Sequence, residues 1–130
     1  MQIKMKAMKR ILPILLVVFL LFTGCGKENT YQQITQEEAK KMMDTQDVII
    51  LDVRELDEYN SGHILNAVLL PVGTINEQTA AQVIPEKDSI VLVYCRSGNR
   101  SKTASDALVQ LGYTNVYEFG GIITWRYETE

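Results

Sequence analysis

Cys95, Arg96, Gly98 and Arg100 fall within six residues, in the stretch IVLVYCRSGNRSKTASDALVQL from Ile90 to Leu111. A thiol beside two guanidinium groups has the makings of an activated nucleophile, because only the thiolate attacks and nearby positive charge favours it. The flanking pattern says how such a thiol would be held. Ile90–Tyr94 is a short apolar run rich in β-branched residues, the pattern of a buried strand. Ala104, Leu108 and Leu111 recur at helical spacing on one face. A strand that ends at a cysteine, turns through a glycine-bearing loop and enters a helix places the sulfur at a helix N-terminus. There, unpaired amides and the positive end of the dipole favour an anion. Comparable settings lower a thiol pKa from ~8.5 into the range ~3.5–7.5. The loop therefore reads as an activated sulfur nucleophile inside an anion cradle.

The rest of the chain supplies the frame. Thr35-Gln36-Glu37-Glu38 has capping-box spacing and predicts a helix from Thr35 to about Met43. Val48–Val53 is a second apolar strand, followed by a polar helix at Arg54–Tyr59 that Asn60-Ser61-Gly62 would stop. Ala67–Leu70 predicts a short strand ended by Pro71, and Glu77–Val83 a brief helix. Gly112 is expected to cap the helix after the cysteine loop. Val116–Phe119 predicts a last strand, Gly120-Gly121 a tight turn, and Ile122–Trp125 a closing segment. Alternating strands and helices are the signature of an α/β domain on a parallel sheet. Ligands of such sheets sit beyond the carboxyl ends of the strands, where both Cys95 and Asp52-Val53-Arg54 are expected.

The N-terminus follows a different logic. Lys4, Lys6, Lys9 and Arg10 precede an apolar run, Ile11–Phe22, that is short for a membrane span. Phe22-Thr23-Gly24-Cys25 then resembles the bacterial lipoprotein signal, which implies cleavage after Gly24 and lipidation of Cys25. The expected division is a signal peptide at 1–24, a lipidated tether at 25–33 and one domain at 34–130. On this reading the protein is exported and held on the outward face of a bacterial membrane. Loss of Met1–Gly24 removes four basic residues and no acidic one, taking the formal net charge from −3 to −7. Such an acidic domain argues against nucleic acid as a partner. With Cys25 acylated, Cys95 has no disulfide partner in the chain, and no zinc-ligand set accompanies it.

The order Asp52-Val53-Arg54, Glu58-Tyr59, Gly62-His63-Ile64, Ala67, Leu70-Pro71, then Cys95-Arg96-Ser97-Gly98-Asn99-Arg100-Ser101, then Gly120-Gly121 before Trp125 resembles a single-domain rhodanese. The likeness runs from about Ile34 to the C-terminus, with Leu65-Asn66 standing where the family often has a proline and a glycine. It implies a rhodanese-like open parallel sheet with helices on both faces, no cofactor, and a sulfurtransferase. By that resemblance Cys95 takes the outer sulfur of a donor such as thiosulfate as a persulfide. A thiol or cyanide then removes it. The amides of Arg96 to Ser101 would stabilise the anion, Arg96 and Arg100 would bind the donor's sulfonate end, and Gly98 would let the backbone turn inward. Ser97 and Ser101 are expected to donate hydroxyl hydrogen bonds or to cap the helix, with capping the role favoured for Ser101. Asp52 and Arg54 are expected as an ion pair ordering the loops, and His63 and Trp125 as structural residues. A redox partner that keeps Cys95 reduced is a further expectation outside the cytoplasm.

Two other readings share these residues. Cysteine phosphatases and arsenate reductases use a similar loop, but with five residues between cysteine and arginine where Cys95 and Arg100 enclose four. The shorter loop makes a tighter cradle, better suited to sulfur than to a tetrahedral oxyanion ester. A non-turnover persulfide carrier or binding module would use the same cysteine and differs only in turnover.

Overall fold

Val48–Asp52 (β2) and Ile90–Cys95 (β4), the most apolar stretches of the domain, lie side by side as parallel strands at the centre of the sheet. The computed structural model describes residues 29–130. The signal peptide expected at 1–24 and the lipidation site expected at Cys25 lie outside the described residues. Gln32–Gln33 (β1), Val68–Leu69 (β3) and Asn115–Gly121 (β5) complete a five-stranded, all-parallel sheet in the order β1-β5-β4-β2-β3. Gln32 and Gln33, expected in the tether, are thus the sheet's edge strand, paired with Tyr117 and Glu118. Two polar glutamines carry no strand pattern, and it is the open edge of β5 that recruits them.

Helices cover both faces, as a parallel sheet requires. They are α1 (Gln36–Thr45), α2 (Leu56–Ser61), α3 (Glu77–Val83) and α4 (Asn99–Gln110). Side-chain alternation along the strands sorts the core into two layers. Leu51, Val53, Val91, Val93 and Cys95 face Ala80, Ile84, Ala104, Leu108 and Tyr113, on the side of α3 and α4. Ile50, Leu92, Tyr94 and Phe119 face Ala39, Met42, Met43, Tyr59 and Trp125 on the other side. The period of two therefore delivers the Cys95 side chain to the face that α4 covers.

The elements start and stop for local reasons. Thr35 caps α1 in a full capping box with Glu38, its hydroxyl accepting from the Glu38 amide at 3.0 Å. Gly62 ends α2, and Gly112, at φ 98°, follows α4. Asn66 holds a φ of 69°, a left-handed turn that asparagine tolerates better than most residues. At Gly120-Gly121 the expected tight turn is absent. The strand continues through Gly121, and the chain turns only at the 3₁₀ segment Ile122–Thr124. The pairing shifts from Val93–Glu118 to Cys95–Gly121, so β5 carries one extra residue against β4. That bulge, with Gly120 at φ 94°, lies directly beside Cys95.

Candidate active site

Cys95 is the last residue of β4 and is 1% exposed. The chain leaves the strand through Arg96 and Ser97 and enters α4 at Gly98, whose φ of 108° lets the loop fold back over the sulfur. The Gly98 amide consequently points at Sγ, 3.0 Å away. Ser101 is not the cap expected from its position. It lies inside α4, fully buried, with Oγ 3.4 Å from the Cys95 sulfur.

Burial is the largest influence on the Cys95 thiol and opposes its ionisation. The Ser101 hydroxyl, then the amides of Ser101, Gly98 and Ser97, together outweigh it, and the pKa is held below the ordinary cysteine value. Fixed donors thus favour the thiolate without water having to reorganise around it.

The Gly120-Gly121 pair is explained by the loop it supports. A methyl group on Gly121 would overlap the Arg96 carbonyl, so the loop peptide packs directly on bare backbone. The Arg96 carbonyl accepts from the Ile123 amide at 3.3 Å, and the Gln36 side chain donates to the Gly121 carbonyl at 2.9 Å. The bulge, the start of α1 and the cysteine loop are therefore one tied unit.

The two arginines differ in their engagement. Arg100 makes a two-bond pair with Glu58, at 2.7 and 2.9 Å, which holds the Glu58 carboxyl down to about 2. Arg96 is exposed and lines a cleft with Arg54, Glu58, Gly62, Ile122 and Ile123. Arg96 is thus the exposed cation of the loop, while Arg100 braces the loop against α2. Asn99 opens α4 at an exposed position.

Asp52 ends β2 and Arg54 follows it, both on the opposite side of the sheet from Cys95. Both are buried, and the Arg54 guanidinium donates to Asp52 at 2.7–3.1 Å and to the Gly62 carbonyl at 2.8 Å. The Tyr94 hydroxyl donates to Asp52 at 2.6 Å and accepts from the Ile64 amide at 3.0 Å. The pair pins the Gly62–Ile64 loop to the central strand that carries Cys95. His63 stacks on Tyr59 at 3.8 Å and contacts the Tyr59 carbonyl, with no contact to the cysteine loop. Trp125 is half-buried against Phe119.

Three residues of the site escaped the sequence reading. Glu58 was visible only as part of a motif, and its partner lies 42 positions away. Tyr94 reads as plain strand core. Glu118 is 3% exposed and accepts from Ser101 at 2.5 Å and from the Gly120 amide at 2.8 Å. Its signal was present, since it stands two residues after the buried Val116, on the inward phase of β5. No cluster of histidine, cysteine, aspartate and glutamate among the described residues could hold a metal ion.

Comparison with known proteins fits this geometry. Residues 35–128 match the family described as rhodanese-like domain. The chain is 36% identical over 97 residues to a thiosulfate sulfurtransferase, GlpE, of Coxiella burnetii, covering 74% of this chain and 88% of that one. It is 36% identical over 72 residues to the thiosulfate sulfurtransferase PspE of Escherichia coli, covering 55% and 68% respectively. Among solved structures, it is similar to the rhodanese-like domain of an Anabaena protein, with a TM-score of 0.69 at 27% identity, covering 78% of this chain and 80% of that one.

Proposed function

The chain belongs to the rhodanese-like domain family, and on that premise we propose that it is a thiosulfate sulfurtransferase working through a Cys95 persulfide. The observation that carries the reading is the Cys95 sulfur itself. It ends a central strand beneath the Ser101 hydroxyl and a cradle of amides, which together hold its pKa down in spite of burial. The thiolate attacks the outer sulfur of thiosulfate, the sulfur–sulfur bond of the donor breaks, and sulfite leaves with the bonding pair. Cyanide, or a thiol in the cell, then attacks the outer sulfur of the persulfide and returns the Cys95 thiolate. Charge and atoms balance in each half, and neither step needs a separate general base. Arg96, at the cleft, meets the anionic end of the donor.

Formation of thiocyanate from thiosulfate and cyanide tests this reading. Many turnovers per chain, abolished in Cys95→Ser, are expected of the enzyme. A single sulfur loaded and released once would instead make the domain a persulfide carrier.

The same proposal places the domain outside the cytoplasm on a lipid anchor, supported by the basic and apolar segments before Cys25. Metabolic labelling with a radioactive fatty acid, lost in Cys25→Ala, is the expected result, and equal labelling of both proteins would refute it.

A further inference from the structure

The mechanism above leaves one buried acid without a task. Glu118 lies on β5 behind the cysteine loop, and no cation pairs with it among the described residues. Its Oε1 accepts from the Gln33 side-chain Nε2 at 3.2 Å, and its Oε2 from the Gly120 backbone amide at 2.8 Å and the Ser101 hydroxyl at 2.5 Å. Ser101 Oγ is in turn 3.4 Å from Cys95 Sγ. Thiol, hydroxyl and carboxylate form one buried chain, Cys95–Ser101–Glu118.

Donor counting shows what this chain must do. With Cys95 as a thiol, its S–H donates to Ser101, and Ser101 donates to the Glu118 carboxylate. Every proton then has an acceptor. With Cys95 as a thiolate, the single Ser101 proton faces two anions buried side by side, and whichever it leaves keeps only its other donors, the loop amides for the sulfur or Gly120 and Gln33 for the carboxylate. The conflict disappears if Glu118 holds the proton and donates to Ser101, which then donates to the sulfur. The whole chain reverses direction while its net charge stays constant, so ionising the thiol adds no charge to the buried site.

We propose that Glu118 is a positioning residue that acts through Ser101, taking up the proton that Cys95 loses when it becomes the thiolate. The step moves the S–H proton to Ser101 Oγ and the Ser101 proton to Glu118 Oε2. No atom changes oxidation state and no co-reactant is needed. When the acceptor has removed the sulfur, the same two transfers run backwards and restore the thiol. Other charged and titratable groups face this chain from its surroundings. Arg100 acts on Cys95 from α4, Lys102 shares the cleft beside Glu118, and Tyr31, before β1, lies in the field of both Asp106 and Glu118. Tyr117 is the adjacent residue on β5. None of them touches Ser101 Oγ.

The proposal rests on Cys95 being the reactive thiolate, and its test is a titration that does not depend on turnover. In the full chain, the rate of iodoacetamide alkylation at Cys95 is followed against pH by mass spectrometry of the tryptic peptide Asp88–Arg96, which is separate from the peptide holding Cys25. A thiol and a carboxyl that share one proton titrate as a pair. The wild type is therefore expected to rise in two steps with a plateau between, and Glu118→Gln, which keeps the shape but cannot take up the proton, in one. In wild-type protein labelled with ¹³C at glutamate, the Glu118 carboxyl carbon is expected to show the same two midpoints, a readout that requires no folded variant. A single step in the wild type, or two steps surviving in Glu118→Gln, overturns the proposal. Failure of the sulfurtransferase reading is seen separately, as wild-type protein that gains no sulfur from thiosulfate.

Discussion

Arg100 and Glu58 meet through two hydrogen bonds of 2.7 and 2.9 Å, joining the helix that follows the cysteine loop to the helix that follows β2. The pair fixes one wall of the cleft and explains why two arginines in one loop have different tasks. Its acid is also the most strongly depressed carboxyl of the site, held down to about 2 by Arg100. A carboxyl whose pKa is lowered on folding stabilises the fold fully above its ordinary value of 4.5, and that contribution fades as pH falls towards 2. Both side chains are partly exposed, so solvent screening leaves about 1 kcal/mol. Urea unfolding of wild type and Glu58→Gln should differ by that amount near neutrality and converge in acid.

Arg96 is expected to contribute at the binding step. Loss of one charge-assisted contact costs about tenfold in affinity. Arg96→Ala should therefore raise KM for thiosulfate about tenfold with a smaller change in kcat, measured by thiocyanate formation. An unchanged KM would mean that the donor is held by loop amides alone.

Gly121 and Gly73 make a matched pair of substitutions. A methyl at Gly121 collides with the Arg96 carbonyl, whereas at Gly73 nothing lies within 4 Å. Gly121→Ala should cost about 2–3 kcal/mol and most of the activity, because relief comes only from moving the loop that holds Cys95. Gly73→Ala should stay within about 0.5 kcal/mol of wild type. Thermal melts of the two variants check this.

The Asp52–Arg54 pair is buried and tied to Tyr94 and Gly62. Asp52→Asn leaves the guanidinium buried and unpaired, and should destabilise the fold by about 3 kcal/mol in urea titration. The alkylation profile of Cys95 should not move, since Asp52 lies on the other face of the sheet.

What could be read in the sequence was whatever is encoded locally. The apolar run Ile90–Tyr94, Cys95, Gly98 and the helical spacing of Ala104 and Leu108 lie within one short stretch, so strand, turn and helix announce themselves together. Thr35 and Glu38 encode their own cap in the same way. Pairings made across the fold were hidden. Glu58 finds Arg100, and Glu118 finds Ser101, only once the strands are ordered in the sheet. The Gly-Gly pair looked like a turn because glycine marks turns more often than bulges, and only the Arg96 carbonyl packed on Gly121 shows why the strand carries on. Ser101 reads as a cap because the chain enters the helix nearby, yet Gly98 is the N-cap of α4 and Ser101 lies inside the helix with its hydroxyl buried against Cys95.

The most direct measurement is the mass of the Cys95 peptide, Asp88–Arg96, from reduced full-length protein before thiosulfate, after thiosulfate, and after cyanide. A gain of one sulfur atom with thiosulfate, its removal by cyanide, and no gain in Cys95→Ser are the predicted results. A reduced, folded protein whose Cys95 peptide never gains sulfur from thiosulfate would contradict the account.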